Sequence, residues 1–298
     1  MEITFFSYNK DTFSPFKKIF KIFFLAVMFF GFTVSFAQNK YSFDVKVIGK
    51  GTPVIMIPGY SCSSDVWKET VDHLKNKFEC HILTLAGFAG QPAIKEPLLE
   101  TTKNEIIAYA KDKKLKNPVI IGHSLGGFLS LWVSSTSPEL FKKVIVVDGV
   151  PFYTALQNPD ITSEQAKQLI NKETFSKQYA AMTNEQLKTY AENIAKQLVT
   201  DLEKAKLIAE WQAKSDRNTL AGAFYEMMTT DIRSDLSKIT APVLVLGSKF
   251  ETLENSKKQF AEQYKNVKNL ILHIADSKHF IMYDQPAWFF QELDTFLK

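Results

Sequence analysis

The sequence predicts a doubly wound α/β domain with a mostly parallel sheet and one helical insertion. Three observations carry this. Six short apolar runs are spaced along the chain, stretches of helical period lie between them, and a segment of roughly 80 residues contains no strand-like run at all.

The apolar runs are Val54–Ile57, His81–Leu85, Val119–Ile121, Val144–Val147, Val243–Leu246 and Leu270–Leu272. Nearly continuous apolar strands imply burial on both faces, as in a parallel sheet covered by helices. Ahead of them, Tyr41–Gly49 alternates Phe43, Val45 and Val47 with polar residues, the period of a half-exposed edge strand. Helical period marks Val66–Lys77, Thr101–Lys114, Phe128–Thr136, Leu253–Tyr264 and Ala287–Leu297, which completes a strand–helix alternation. From Pro151 to Met228 only helical spacing is found, with a capping-box start at Thr183-Asn-Glu-Gln186. The expected organisation is therefore a core of residues 38–150 and 232–298, with a cap of residues 151–231 over the carboxyl edge of the sheet, where open α/β sheets bind ligands. Trp211, Phe224, Tyr225, Met227 and Met228 are candidates to line an apolar pocket beneath that cap.

Residues 1–37 read as a secretory signal. A Lys-bearing stretch precedes the apolar segment Ile19–Ala37, and Ser35-Phe36-Ala37 supplies the small residues of a cleavage site before Gln38. The alternative is a retained N-terminal anchor, but the apolar run after Lys21 is about 16 residues, short of the roughly 20 that span a bilayer. The expected location is thus periplasmic or extracellular, with no stable membrane insertion after cleavage. Cys62 and Cys80 are expected to stay free: one follows a strand and the other begins the next parallel strand, farther apart than a disulfide allows.

At 298 residues, 45% hydrophobic and 23% charged, the chain can bury a full core. Setting residues 1–37 aside leaves 32 basic and 30 acidic residues, a net of +2, interspersed and not gathered into a stripe. A nucleic-acid partner is therefore not expected.

The motif that carries chemistry is Gly122-His-Ser-Leu-Gly126, a G-x-S-x-G set between a buried strand and a helix. A serine at such a strand-to-helix elbow is held clear of the sheet. The flanking glycines remove Cβ atoms that would clash as the chain doubles back, and Gly127 lets helix and strand pack closely. With Pro58-Gly59-Tyr60 and the downstream Trp67, the chain after Lys50 resembles the α/β-hydrolase superfamily, in its serine esterase and lipase-like members with a helical cap. Pro58 stands where a His is often found. The resemblance implies an oxyanion hole made by the backbone N–H groups of Leu125 and Tyr60.

A serine hydroxyl needs a base. Of five histidines, His73 falls in a predicted helix, His81 and His273 in strands, and His123 inside the elbow. His279 alone follows the last strand in a loop, and Asp276–Pro286 is similar to the histidine loop of the family. The resemblance places the orienting acid three residues past the Gly ending strand Val243–Leu246, but Phe250 occupies that position. Two acids stay open: Asp148, at the end of the preceding strand, and Glu251 as the alternative.

The expected activity is cleavage of carboxylic esters through an acyl-enzyme: Ser124 attacks, His279 shuttles the proton, and the acid orients the imidazole. The expected partner is a small-molecule acyl substrate, with no cofactor and no metal, because no His/Cys cluster has ligand spacing. A peptidase or amidase, a C–C hydrolase or peroxidase of the same fold, and a non-catalytic ligand-binding protein are the alternatives.

Overall fold

The computed structural model describes residues 40–298, which belong to one compact unit. The proposed signal sequence, its cleavage site and the alternative anchor lie outside the described residues. Among the described residues, no helix is long and apolar enough to cross a membrane.

The described residues form a seven-stranded sheet: β1 (Phe43–Gly49), β2 (Thr52–Ile57), β3 (Phe78–Leu85), β4 (Val119–His123), β5 (Lys143–Val147), β6 (Val243–Gly247) and β7 (Leu270–Ile274), in the order β1-β3-β2-β4-β5-β6-β7. Only β1 runs antiparallel, against β3; every other pairing is parallel. Because side chains alternate across a strand, each parallel strand feeds two cores. Ile55, Ile57, Ile120, Val144, Val146, Val243 and Val245 point to one face. Val54, Met56, Val119, Ile121, Ile145, Val147, Leu244 and Leu246 point to the other.

Helices α2 (Leu98–Asp112), α3 (Leu125–Thr136) and α9 (Leu253–Gln263) cover the first face with Leu99, Ile106, Phe128, Leu129 and Phe260. Helices α1 (Lys68–Leu74) and α11 (Pro286–Leu297) cover the second with Val71, Leu74, Phe289 and Leu293. A short turn of helix, α10 (Ile281–Asp284), precedes α11.

Two expectations change in detail. The stretch read as one helix from Val66 divides into a 3-10 turn, Ser64–Trp67, and α1, and Trp67 becomes a fully buried anchor at the junction. The run Leu270–Leu272, read as buried on both faces, is the far edge strand of the sheet, and Ile271 there is 42% exposed.

Between β5 and β6 the chain forms α4 (Ser163–Leu169), α5 (Lys172–Ala181), α6 (Asn184–Leu198), α7 (Leu202–Ala213) and α8 (Arg217–Thr229). The Thr183 capping box closes reciprocally on Gln186, satisfying two amides at the start of α6. A second box, Thr162 with Gln165, starts α4. The inserted helices are bonded to the core at several points. The Glu226 carboxylate on α8 accepts the Leu98 and Leu99 amides at the N-terminus of α2, both at 2.9 Å. The Asp216 amide donates to Gly87 O at 2.7 Å.

Candidate active site

The strand order turns at β2, whose neighbours are β3 on one side and β4 on the other. The loops after β2 and β4 therefore diverge from a common crevice at the carboxyl edge, the usual ligand position in such sheets. Ser124 follows β4 with φ 55° and ψ −118°, a conformation that L-residues other than Gly seldom adopt. Neighbouring packing maintains it. A Cβ on Gly122 would lie 2.0 Å from Gly126 O, one on Gly126 2.2 Å from Ile57 O, and one on Gly127 2.7 Å from a Val146 methyl. These close approaches explain the motif's glycines as steric necessities. Ser124 is also the N-cap of α3, so the positive end of a 12-residue helix faces its side chain.

The β5–β6 ladder brings in the acid. The Asp148 amide donates to Leu246 O at 2.7 Å, continuing the pairing one residue beyond β5. The residues that end these two strands thus meet, and Ser248 N–H and Ser248 Oγ donate to Asp148 Oδ1 and Oδ2, each at 2.7 Å. Asp148 has φ 48°, which turns its buried carboxylate along the sheet edge. His279 reaches it from the loop after β7: Nδ1 lies 2.5 Å from Asp148 Oδ2. That contact puts the proton of a neutral imidazole on Nδ1 and leaves the Nε2 lone pair available. Ser124 and His279 line the same cavity, although Ser124 Oγ makes no hydrogen bond to the imidazole among the described residues. Such contacts are often long without substrate.

Glu251, the alternative acid, is not brought to His279. It is exposed and its carboxylate accepts a hydrogen bond from Asn255 Nδ2 at 3.2 Å, because the chain turns outward into α9 after Ser248. Tyr60 and Leu125 flank the serine, and neither backbone N–H has a protein acceptor among the described residues. The Tyr60 hydroxyl is committed elsewhere: it donates to Leu220 O at 2.7 Å and meets the Tyr179 hydroxyl at 3.2 Å, tying this loop to α8 and α5. Burial, with Tyr179 adding to it, holds the Tyr60 phenol well above its usual range, so it remains a donor.

Several contributors are not singled out from sequence. Ser248 is one, and strand register is the only signal that reaches it. His123 is another: it is fully buried and donates from Nε2 to His279 O at 3.1 Å, bracing the histidine loop. Burial first, and then the neighbouring His279, push its pKa well below the ordinary imidazole value. Lys278 is a third. Its ammonium donates to Lys196 O and Val199 O at the C-terminal end of α6, while Phe280 N–H donates to Leu198 O at 3.2 Å.

The cavity encloses about 640 Å³. Phe224 and Met227 line it, whereas Trp211 packs into the core and Tyr225 and Met228 stay off its wall. Cys62 also borders it, but burial pushes that thiol up to about 12, which removes it as a nucleophile near neutral pH. Cys62 and Cys80 are both free and buried. Among the described residues no three His, Cys, Asp or Glu side chains converge as a metal site.

A strained serine between close-packed glycines, beside a histidine–carboxylate pair at a sheet edge, is accompanied by a family match: the sequence profile of the alpha/beta hydrolase fold covers residues 52–288. The chain belongs to the α/β-hydrolase family. Curated relatives include the pimeloyl-[acyl-carrier protein] methyl ester esterase of Wigglesworthia glossinidia brevipalpis, 25% identical over 270 residues that span 85% of this chain and 96% of that protein. The enzyme of the same name from Aliivibrio fischeri strain MJ11 is 24% identical, over 84% of this chain and 95% of that one. Among solved structures, a thermophilic esterase from Thermogutta terrifontis superposes with a TM-score of 0.72 at 18% identity, covering 86% of this chain and 92% of that one. The enol-lactonase from Burkholderia xenovorans LB400 gives 0.71 at 14%, covering 86% and 96%. At these identities the structural likeness is one of fold. This α/β-hydrolase carries its inserted helices between β5 and β6 and its histidine loop after β7.

Proposed function

We propose that this chain is an exported serine hydrolase that cleaves carboxylic esters, with Ser124 as nucleophile, His279 as general base and Asp148 as the orienting acid. The observation that carries the reading is the 2.5 Å contact of His279 Nδ1 with Asp148 Oδ2 beside the strained Ser124. Export rests on the N-terminal sequence, and ester chemistry is supported by the activity of the curated relatives.

The residues perform the reaction as follows. His279 Nε2 takes the proton of Ser124 Oγ as the oxygen attacks the ester carbonyl, and Asp148 stabilises the imidazolium that forms. The Tyr60 and Leu125 amides, together with the N-terminal end of α3, receive the negative oxygen of the tetrahedral intermediate; losing one such donor costs about 3 to 4 kcal/mol of barrier. His279 then returns the proton to the alcohol as it leaves, and the same residue activates the water that releases the acid. The buried cavity under the inserted helices holds the apolar part of the substrate.

Fluorophosphonate labelling of the wild type and of Ser124→Ala and His279→Ala tests this. Rapid labelling of wild type, none in Ser124→Ala and very slow labelling in His279→Ala is the expected result. Labelling that persists in Ser124→Ala rejects the nucleophile.

A further inference from the structure

The cavity wall draws on both cores of the protein. Phe128, Val150, Tyr179 and Met227 belong to the core on one face of the sheet. Cys62, Ala195, Ile208 and Phe280 belong to the core on the other. A hydrophobic wall needs no polar side chain, yet the second group is interrupted by Gln212 on α7. Gln212 is only 7% exposed, it lines the cavity, and its amide has no hydrogen-bond partner among the described residues. Ser61, 2% exposed and adjacent to Cys62, likewise presents a hydroxyl without a hydrogen-bond partner among the described residues.

Buried amides are almost always paired, by protein or by water, so the Gln212 amide, which hydrogen-bonds no side chain or backbone group among the described residues and borders the cavity, is available to a polar group that enters it. Charged lining groups are already engaged. Asp148 is held by Ser248 and His279, Lys249 by Asp276, and Lys278 by the backbone at the end of α6. The Gln212 amide offers both a donor and an acceptor to a neutral polar group.

We infer that Gln212 is the specificity-determining residue of this cavity, and that the substrate is an ester whose neutral hydroxyl, amide or ketone group the Gln212 side chain binds. The inference rests on the serine-hydrolase reading. It does not specify whether the polar group sits on the acyl or the alcohol part, so the test covers both.

The experiment compares matched ester pairs in wild type and Gln212→Leu: p-nitrophenyl nonanoate with its 6-acetamidohexanoate analogue, and butyl hexanoate with 4-hydroxybutyl hexanoate. Wild type should favour the polar member of at least one pair by about tenfold or more in kcat/KM, and Gln212→Leu should bring that ratio to about one. Gln212→Asn should restore part of it. Thermal melting establishes that each variant is folded. A wild-type ratio near one in both pairs, or a ratio that Gln212→Leu leaves unchanged, overturns the inference. Fluorophosphonate labelling of Ser124 separates the two failures: labelled enzyme without the preference sinks only the Gln212 assignment, whereas unlabelled enzyme inert on all four esters sinks the hydrolase reading and the inference with it.

Discussion

Replacing Asp148 with Asn gives a separable effect on fold and chemistry. Asp148 Oδ1 accepts the Ser248 backbone N–H, which cannot rotate, so the Asn carbonyl oxygen must take that side. The amide nitrogen then occupies the position of Oδ2, facing Ser248 Oγ and His279 Nδ1. The Ser248 hydroxyl can turn and accept, so stability should change by no more than about 1 kcal/mol. The imidazole has no such freedom. An amide N–H donating to Nδ1 drives the proton to Nε2, where it blocks acceptance of the serine proton. Restoring the active tautomer breaks that hydrogen bond, and the imidazolium then forms without its carboxylate. Two charge-assisted interactions of about 1.5 to 3 kcal/mol each give a penalty of about 3 to 6 kcal/mol. At 1.36 kcal/mol per decade this is consistent with the roughly 10⁴-fold loss in kcat expected for a mis-set tautomer. The assay is kcat/KM on p-nitrophenyl esters beside urea denaturation, with Glu251→Gln in parallel, which should stay within about twofold because that side chain faces solvent. Activity of Asp148→Asn within tenfold of wild type refutes the assignment, as does a collapse confined to Glu251→Gln.

Further outcomes follow from the same geometry. Gly126→Ala forces a Cβ to 2.2 Å from Ile57 O, a backbone atom that cannot move aside, and should destabilise by about 3 kcal/mol or more, read as a lowered Tm. His123 has a folded pKa far below its unfolded value, so between those values the unfolded chain binds the extra proton. Stability should therefore be full above about pH 6.5 and fall with acid, by up to about 1.4 kcal/mol per pH unit from this residue, which denaturation at pH 7 and pH 5.5 measures and His123→Asn should flatten. Lys278→Met removes the ammonium from the end of α6 and should cost about 0.3 to 1 kcal/mol of stability while lowering kcat more than it raises KM. Equal activity in that variant would mean the base is positioned without it.

Much of the fold is legible in the sequence because the parallel strands bury both faces and so lack polar interruptions; Val144–Val147 and Val243–Leu246 announce themselves. The edge strand β7 is misjudged by the same criterion, since three apolar residues do not reveal that the strand ends the sheet. The elbow is legible because its steric demands fall on residues adjacent in sequence. The carboxylate that meets His279 is not, because 131 residues separate Asp148 from His279 and the deciding fact is a strand register. Ser248 is concealed for the same reason: its role exists only once β5 and β6 lie side by side. Gln212 looks in sequence like one of many amides in a polar helical segment, and only its burial at the cavity distinguishes it.

The attachment of the histidine loop to α6 has a mechanical consequence. Lys278 and Phe280 are both fastened to the last turn of that helix, with His279 between them, and Thr200 just beyond it is held by Asp284 at 2.9 Å. Helix and imidazole are thereby tied into one unit, so any displacement of the end of α6 is passed to the backbone on both sides of His279. The exposed rings of Tyr153 and Phe250 also border the cavity, so its wall reaches solvent there without any displacement of that helix.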